Sequence, residues 1–138
     1  MTDKEWREFV LTGTRTGKAA TVRGDGRPHA TPIWFTLDGD DLVFTTWHES
    51  VKARTLRADP RVAIVVDDQR PPYSFVIIEG EASISEDPTE LRTWAARIGG
   101  RYMGAERAEE YGRRNGVPGE LLVRVRIDKV IAERELAG

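Results

Sequence analysis

The sequence predicts a mainly β protein, a small antiparallel barrel of six strands interrupted by short helices. Apolar, β-branched runs recur at short intervals, and clusters of turn formers separate them in hairpin fashion. The helical patterns are too short and too few to alternate with strands as a doubly wound parallel sheet requires. At 138 residues the chain has room for one continuous core without a metal or covalent staple, so residues 1–138 are read as a single domain.

The elements follow in order. Trp6, Phe9 and Val10 fall at helical spacing, which predicts a short amphipathic helix from Asp3 to Leu11 that packs against the barrel. Lys18 to Arg23 reads as a strand, and Gly24-Asp25-Gly26-Arg27-Pro28 supplies the turn of a first hairpin. A second strand runs from His29 to Leu37, and Asp38-Gly39-Asp40-Asp41 leads tightly into a third from Leu42 to Thr46. Ser50 is the expected N-cap of a helix to Ala58, and Asp59-Pro60 stops it because a residue before proline avoids the α region. Arg61 to Asp67 is the strongest strand, apolar enough to be expected buried on both faces. Tyr73 to Ser85 forms a long strand. Asp87-Pro88 opens a helix with Leu91, Trp94, Ala95 and Ile98 on one face, and helical character continues brokenly past Tyr102 and Tyr111. Glu120 to Ala132 closes the sheet.

Composition narrows the chemistry. No cysteine is present, which excludes disulfides, thiolate metal centres and cysteine nucleophiles and agrees with a reducing cytoplasm. Two histidines, His29 and His48, do not make a histidine-rich metal centre. The charged residues nearly cancel to −2, so nothing global favours nucleic acid or an acidic membrane, and any anion site is local. No apolar run approaches the roughly 20 residues of a membrane span, and the first residues lack a signal peptide's basic start. The expectation is a soluble, cytoplasmic protein.

The segment from Thr45 to Arg54 is the most informative. A strand there runs into a helix whose first turn offers unpaired N–H groups, the hydroxyls of Thr46 and Ser50, and the ammonium of Lys52. That is the chemistry of a phosphate site. Lys52 and Arg54 lie about 200° apart on a formed helix, so Lys52 is the stronger candidate. Spacing alone fits solvated helix charges beside an ordinary serine cap better. Pro32 interrupts the second strand ahead of Ile33, Trp34 and Phe35, leaving backbone groups free to meet a planar ring, although core packing accounts for these residues too. Asp67 and Asp68 point to opposite faces and are better read as solvated than as an acid–base dyad. His48 lies at the mouth of the candidate site, where an exposed loop histidine is the plainer account. Trp34, Trp47, Tyr73 and Tyr102 are candidates for an aromatic-walled pocket. No nucleophile elbow, phosphate-binding P-loop or dinucleotide fingerprint occurs in context.

The run from Gly17 to Asp68, followed by Pro71 to Pro88, Arg101-Tyr102-Met103-Gly104 and Gly112 to Arg134, resembles the pyridoxamine 5'-phosphate oxidase-like split β-barrel superfamily. More narrowly, it is similar to the actinobacterial branch of deazaflavin-dependent oxidoreductases that use coenzyme F420. The order of the pieces carries the resemblance over nearly the whole chain. It implies a six- or seven-stranded antiparallel split barrel with short peripheral helices. It also implies a homodimer with cofactor sites at the subunit interface and a small-molecule substrate. By the same resemblance, Lys52 and Arg54 bind the cofactor phosphate with Thr46 and Ser50 assisting, Arg57 is a further candidate, and Pro32, Ile33 and Trp34 line the ring. Thr55 stands where many relatives carry asparagine. Such a cofactor carries the hydride, so the resemblance implies no catalytic side chain and no metal. FMN is the alternative cofactor, although FMN oxidases of this kind tend to carry more arginines near the phosphate and a C-terminal extension. A non-catalytic carrier of F420, or a haem-binding barrel using His29 or His48 as axial ligand, is the reading from a different class.

Overall fold

The computed structural model describes Met1 to Gly138 and consists of seven strands, four α-helices and one short 3-10 turn. Helix α1 spans Asp3–Leu11, followed by β1 Gly17–Val22, β2 Pro28–Ile33, β3 Thr36–Asp38 and β4 Asp41–Trp47. Then come α2 Val51–Ala58, β5 Arg61–Asp68, β6 Ser74–Ser85, α3 Pro88–Met103, α4 Ala108–Asn115 and β7 Glu120–Glu133. All pairs are antiparallel, in the order β2-β1-β5-β6-β7-β4-β3.

The expected second strand, His29 to Leu37, is two strands. Its first part pairs with β1 and its last with β4, and Trp34 and Phe35 between them belong to no ladder. The two halves are therefore the two edges of one sheet. Seven strands laid flat would span about 29 Å at strand spacing. Ile33 and Thr36, three residues apart, cannot be separated by more than about 11 Å, so the sheet has to roll until its edges approach. No ladder joins them: the barrel is a single rolled sheet, open at this break, consistent with the split barrel that the resemblance implies.

Alternation explains what each face does. Phe35, Leu42, Phe44, Ile64, Val66, Val76, Ile78, Val123 and Val125 fill the inside of the roll, and α1 adds Trp6 and Val10. Strand β5 is buried on this face only: Val62, Ile64 and Val66 are buried, while Ala63 and Val65 are half-exposed. The apolar run thus does not have both faces covered. On the outside, Val43 and Leu122 meet Leu91, Trp94 and Ile98 of α3 in a smaller core. Arg124 of β7 reinforces that contact, pairing with Glu90 of α3 at 3.0 Å and with Asp38 and Asp41 of the β3–β4 hairpin at 2.6 and 3.3 Å. Gly80 marks a bulge where β6 slips against β7, and any Cβ there would collide with the Arg126 carbonyl oxygen. No helix is long and apolar enough to cross a membrane.

Candidate functional site

Helix α2 begins as the sequence predicts. The Ser50 hydroxyl accepts from the Ala53 N–H at 3.0 Å, and it shares a hydrogen bond of 2.7 Å with the Thr46 hydroxyl at the end of β4. Thr46 is buried, so this pair is committed to joining strand and helix. Lys52, in the first turn, reaches back across the sheet edge, and its Nζ donates to the Thr31 hydroxyl of β2 at 2.7 Å. The ammonium is half-buried, and loss of water pushes its pKa below the usual lysine value. An ammonium has three donors, and this bond uses one.

Lys52 shares a cavity of about 200 Å³ with Pro32, Ile33 and Trp34, the residues at the strand break. Four of the residues singled out in the sequence therefore come together. Thr45 of β4, Ala95 and Ile98 of α3 and Asn115 of α4 complete the wall. Ala95, Ile98 and Asn115 had no signal as site residues in the sequence, because α3 and α4 arrive from far along the chain, whereas Thr45 opens the segment singled out there. Glu120 of β7 stands against the Thr45 hydroxyl, and its half-burial pushes the carboxyl above the usual glutamate range.

Other candidates lie apart. Arg54 is exposed, and Arg57 pairs with Glu86 at 3.4 Å on the surface. Thr55 is buried against β1, its hydroxyl 3.0 Å from both the Thr21 hydroxyl and the Lys52 carbonyl. Asp67 pairs with Lys18 and Asp68 with Arg15, at 2.9 and 3.2 Å. His48 donates from Nδ1 to the Gly119 carbonyl at 2.9 Å and leans on Trp47, while His29 faces Arg23 across the first hairpin. Of the four aromatics named above, Trp34 and Tyr102 stack with centroids 5.0 Å apart and planes 5° apart. Tyr73 lies instead on the outer sheet face, in a groove with Val65, Phe75, Ile77 and Leu136. A half-buried cation, a hydroxyl and an amide in a half-apolar, aromatic-edged cavity suit a ligand with an anionic group and a planar ring.

A family model described as pyridoxamine 5'-phosphate oxidase matches residues 2–133. Among solved structures, a conserved hypothetical protein from Mycobacterium tuberculosis is 29% identical, with a TM-score of 0.85 over 100% of this chain and 89% of its own. A protein described as an F420 reductase is also 29% identical, with a TM-score of 0.71 over 90% of this chain and 94% of its own. General stress protein 26 from Bacillus anthracis is 26% identical, with a TM-score of 0.71 over 96% and 94%.

Proposed function

Because the chain belongs to the pyridoxamine 5'-phosphate oxidase family, we propose that it is an oxidoreductase moving a hydride between coenzyme F420 and a small, planar, unsaturated organic substrate. The observation that carries this reading is the half-buried Lys52 ammonium opening onto the same cavity as Pro32, Ile33 and Trp34. The likeness to an F420 reductase supports the deazaflavin over FMN. The donor set fits such a group: Lys52 would hold the phosphate, and Pro32 to Trp34 would border the ring. When bound, the deazaflavin supplies the two-electron hydride chemistry. The protein contributes position and exclusion of water. Thr31 orients the Lys52 ammonium, Ser50 and Thr46 fix the start of α2, and Ala95 and Ile98 supply part of the apolar wall.

A cavity of about 200 Å³ is smaller than the roughly 300 Å³ at which ligand sites begin. We infer that a second copy of the chain completes the site. Val65, Ile77 and Ile131 lie in register across β5, β6 and β7 on the half-exposed outer face, an apolar row suited to an isologous dimer.

The test is a spectroscopic titration of the protein with F420 and, separately, with FMN and haem. The reading expects a shifted deazaflavin band and no change with FMN. Lys52→Ala removes a hydrogen bond from a charged group, worth about 1.5–3 kcal/mol. Its affinity for F420 falls about tenfold to a hundredfold. Binding of F420 by Lys52→Ala within about twofold of wild type would overturn the assignment of the phosphate. Failure of reduced F420 to pass electrons to any of a panel of enones and quinones, despite tight binding, would make the protein a carrier.

A further inference from the structure

The break between β2 and β3 creates a debt in hydrogen bonds. Phe35 is fully buried, yet its N–H and C=O lie outside every ladder, and buried backbone groups need partners. The last turn of α3 supplies both. Tyr102 Oη accepts from the Phe35 N–H at 3.3 Å and donates to the Arg15 carbonyl at 2.7 Å. Arg101 donates to the Phe35 carbonyl and the Val10 carbonyl, each at 2.7 Å, and to the Gly13 carbonyl at 3.2 Å. Its guanidinium also lies over the Phe35 and Tyr102 rings, 4.7 Å from each centroid. A half-buried guanidinium with no carboxylate partner is an expensive way to close a chain break when continued strand pairing would satisfy the same groups.

What the arrangement achieves is the pose of the preceding residue. Trp34 projects into the Lys52 cavity and lies flat on the Tyr102 ring. We propose that Arg101 and Tyr102 are positioning residues that hold the broken strand open and set the Trp34 ring as a backed platform for the planar ring of the ligand. Neither residue lines the cavity; both act through Phe35 and Trp34. The proposal rests on the functional reading above for its ligand and on the contacts of this chain alone for the platform.

The test uses the full chain and reads the platform first without ligand. In near-ultraviolet circular dichroism, the band lost in Trp34→Phe reports the stacked pair. Tyr102→Phe keeps the ring and removes the hydroxyl, whereas Arg101→Lys keeps the charge and removes the planar fork that reaches several carbonyls at once. Both are expected to alter the Trp34 band and to weaken F420 binding about threefold to tenfold. Both still melt cooperatively in urea. Arg92→Ala, at an exposed arginine of the same helix about two and a half turns before Arg101, changes neither band nor affinity. The proposal falls if folded Tyr102→Phe keeps the wild-type band, or loses it while binding F420 within about twofold of wild type. Tyr102→Phe decides the matter alone if Arg101→Lys does not fold. If the wild-type protein takes up no deazaflavin, the functional reading fails, and the Trp34 band decides whether the clamp sets the ring.

Discussion

Glu5 shows how much a single partly exposed carboxylate can be tuned by its neighbours. The Thr2 backbone N–H donates to its Oε1 at 2.9 Å, in a capping box whose Thr2 hydroxyl accepts from the Glu5 N–H, and Arg134 pairs with it, so its pKa is lowered from 4.5 to about 2. A carboxyl held lower in the folded state than in the unfolded one stabilises above the unfolded value and ceases to do so as pH falls through the folded one. The Glu5 contribution is therefore expected to be intact above about pH 4.5 and lost between there and pH 2. An NMR titration of the Glu5 carboxyl carbon would read its midpoint directly. Because the Thr2 contacts are the larger cause, Arg134→Ala is expected to raise that midpoint yet leave it below 4.5. A midpoint at the ordinary value in that variant would assign the effect to the ion pair.

Among the elements, α2 depends on its cap more than its eight residues suggest. Ser50 caps the helix and also satisfies the buried Thr46 hydroxyl. Ser50→Ala is expected to cost about 1–2 kcal/mol, against roughly 1 for an ordinary cap, as measured by urea unfolding. The hold of α3 on the sheet runs through Arg124, whose guanidinium serves Asp38, Asp41 and Glu90. Three carboxylates around one cation push the guanidinium pKa up, the Asp38 hydrogen bond most of all. Arg124→Gln leaves them facing one another, and its partly exposed site limits the expected loss to about 1–3 kcal/mol. That loss should shrink as added salt screens the carboxylates. A variant equally destabilised at low and high salt would place the effect in lost packing over Trp94, which Arg124 also covers at 5.8 Å.

For the whole molecule, the proposed dimer makes the outer sheet face the decisive surface. Ile77 sits at the centre of the row with Val65 and Ile131 and is only half-buried in a single chain. Light scattering is expected to give twice the mass of one chain for the wild type. Ile77→Asp would bury an unpaired charge in such an interface and should yield single chains that remain folded. If those single chains bind F420 as tightly as the wild type does, the site is complete within one chain. Unchanged mass in the variant would place the interface elsewhere.

The strands, the hairpin at Gly39, the Ser50 cap and the apolar face of α3 were legible in the sequence. Each follows from local rules of turn chemistry, capping and periodicity acting within a few residues. Lys52 and the Pro32 to Trp34 segment were legible as candidates for a similar reason, a cation in a first turn and a proline in a strand. The break at Trp34-Phe35 was not, because the residues from His29 to Leu37 look equally strand-like throughout and the change of partner from β1 to β4 depends on how the whole sheet rolls. Nor was the arrival of Ala95, Ile98 and Asn115 at the Lys52 cavity, or of Arg101 and Tyr102 at the Phe35 backbone. The sequence by itself determined the elements and the chemical character of the candidate site. Only the tertiary structure decided which distant groups complete that site, since long-range contacts are selected by the packing of whole elements and by the need to satisfy buried backbone groups, neither of which is encoded in local spacing.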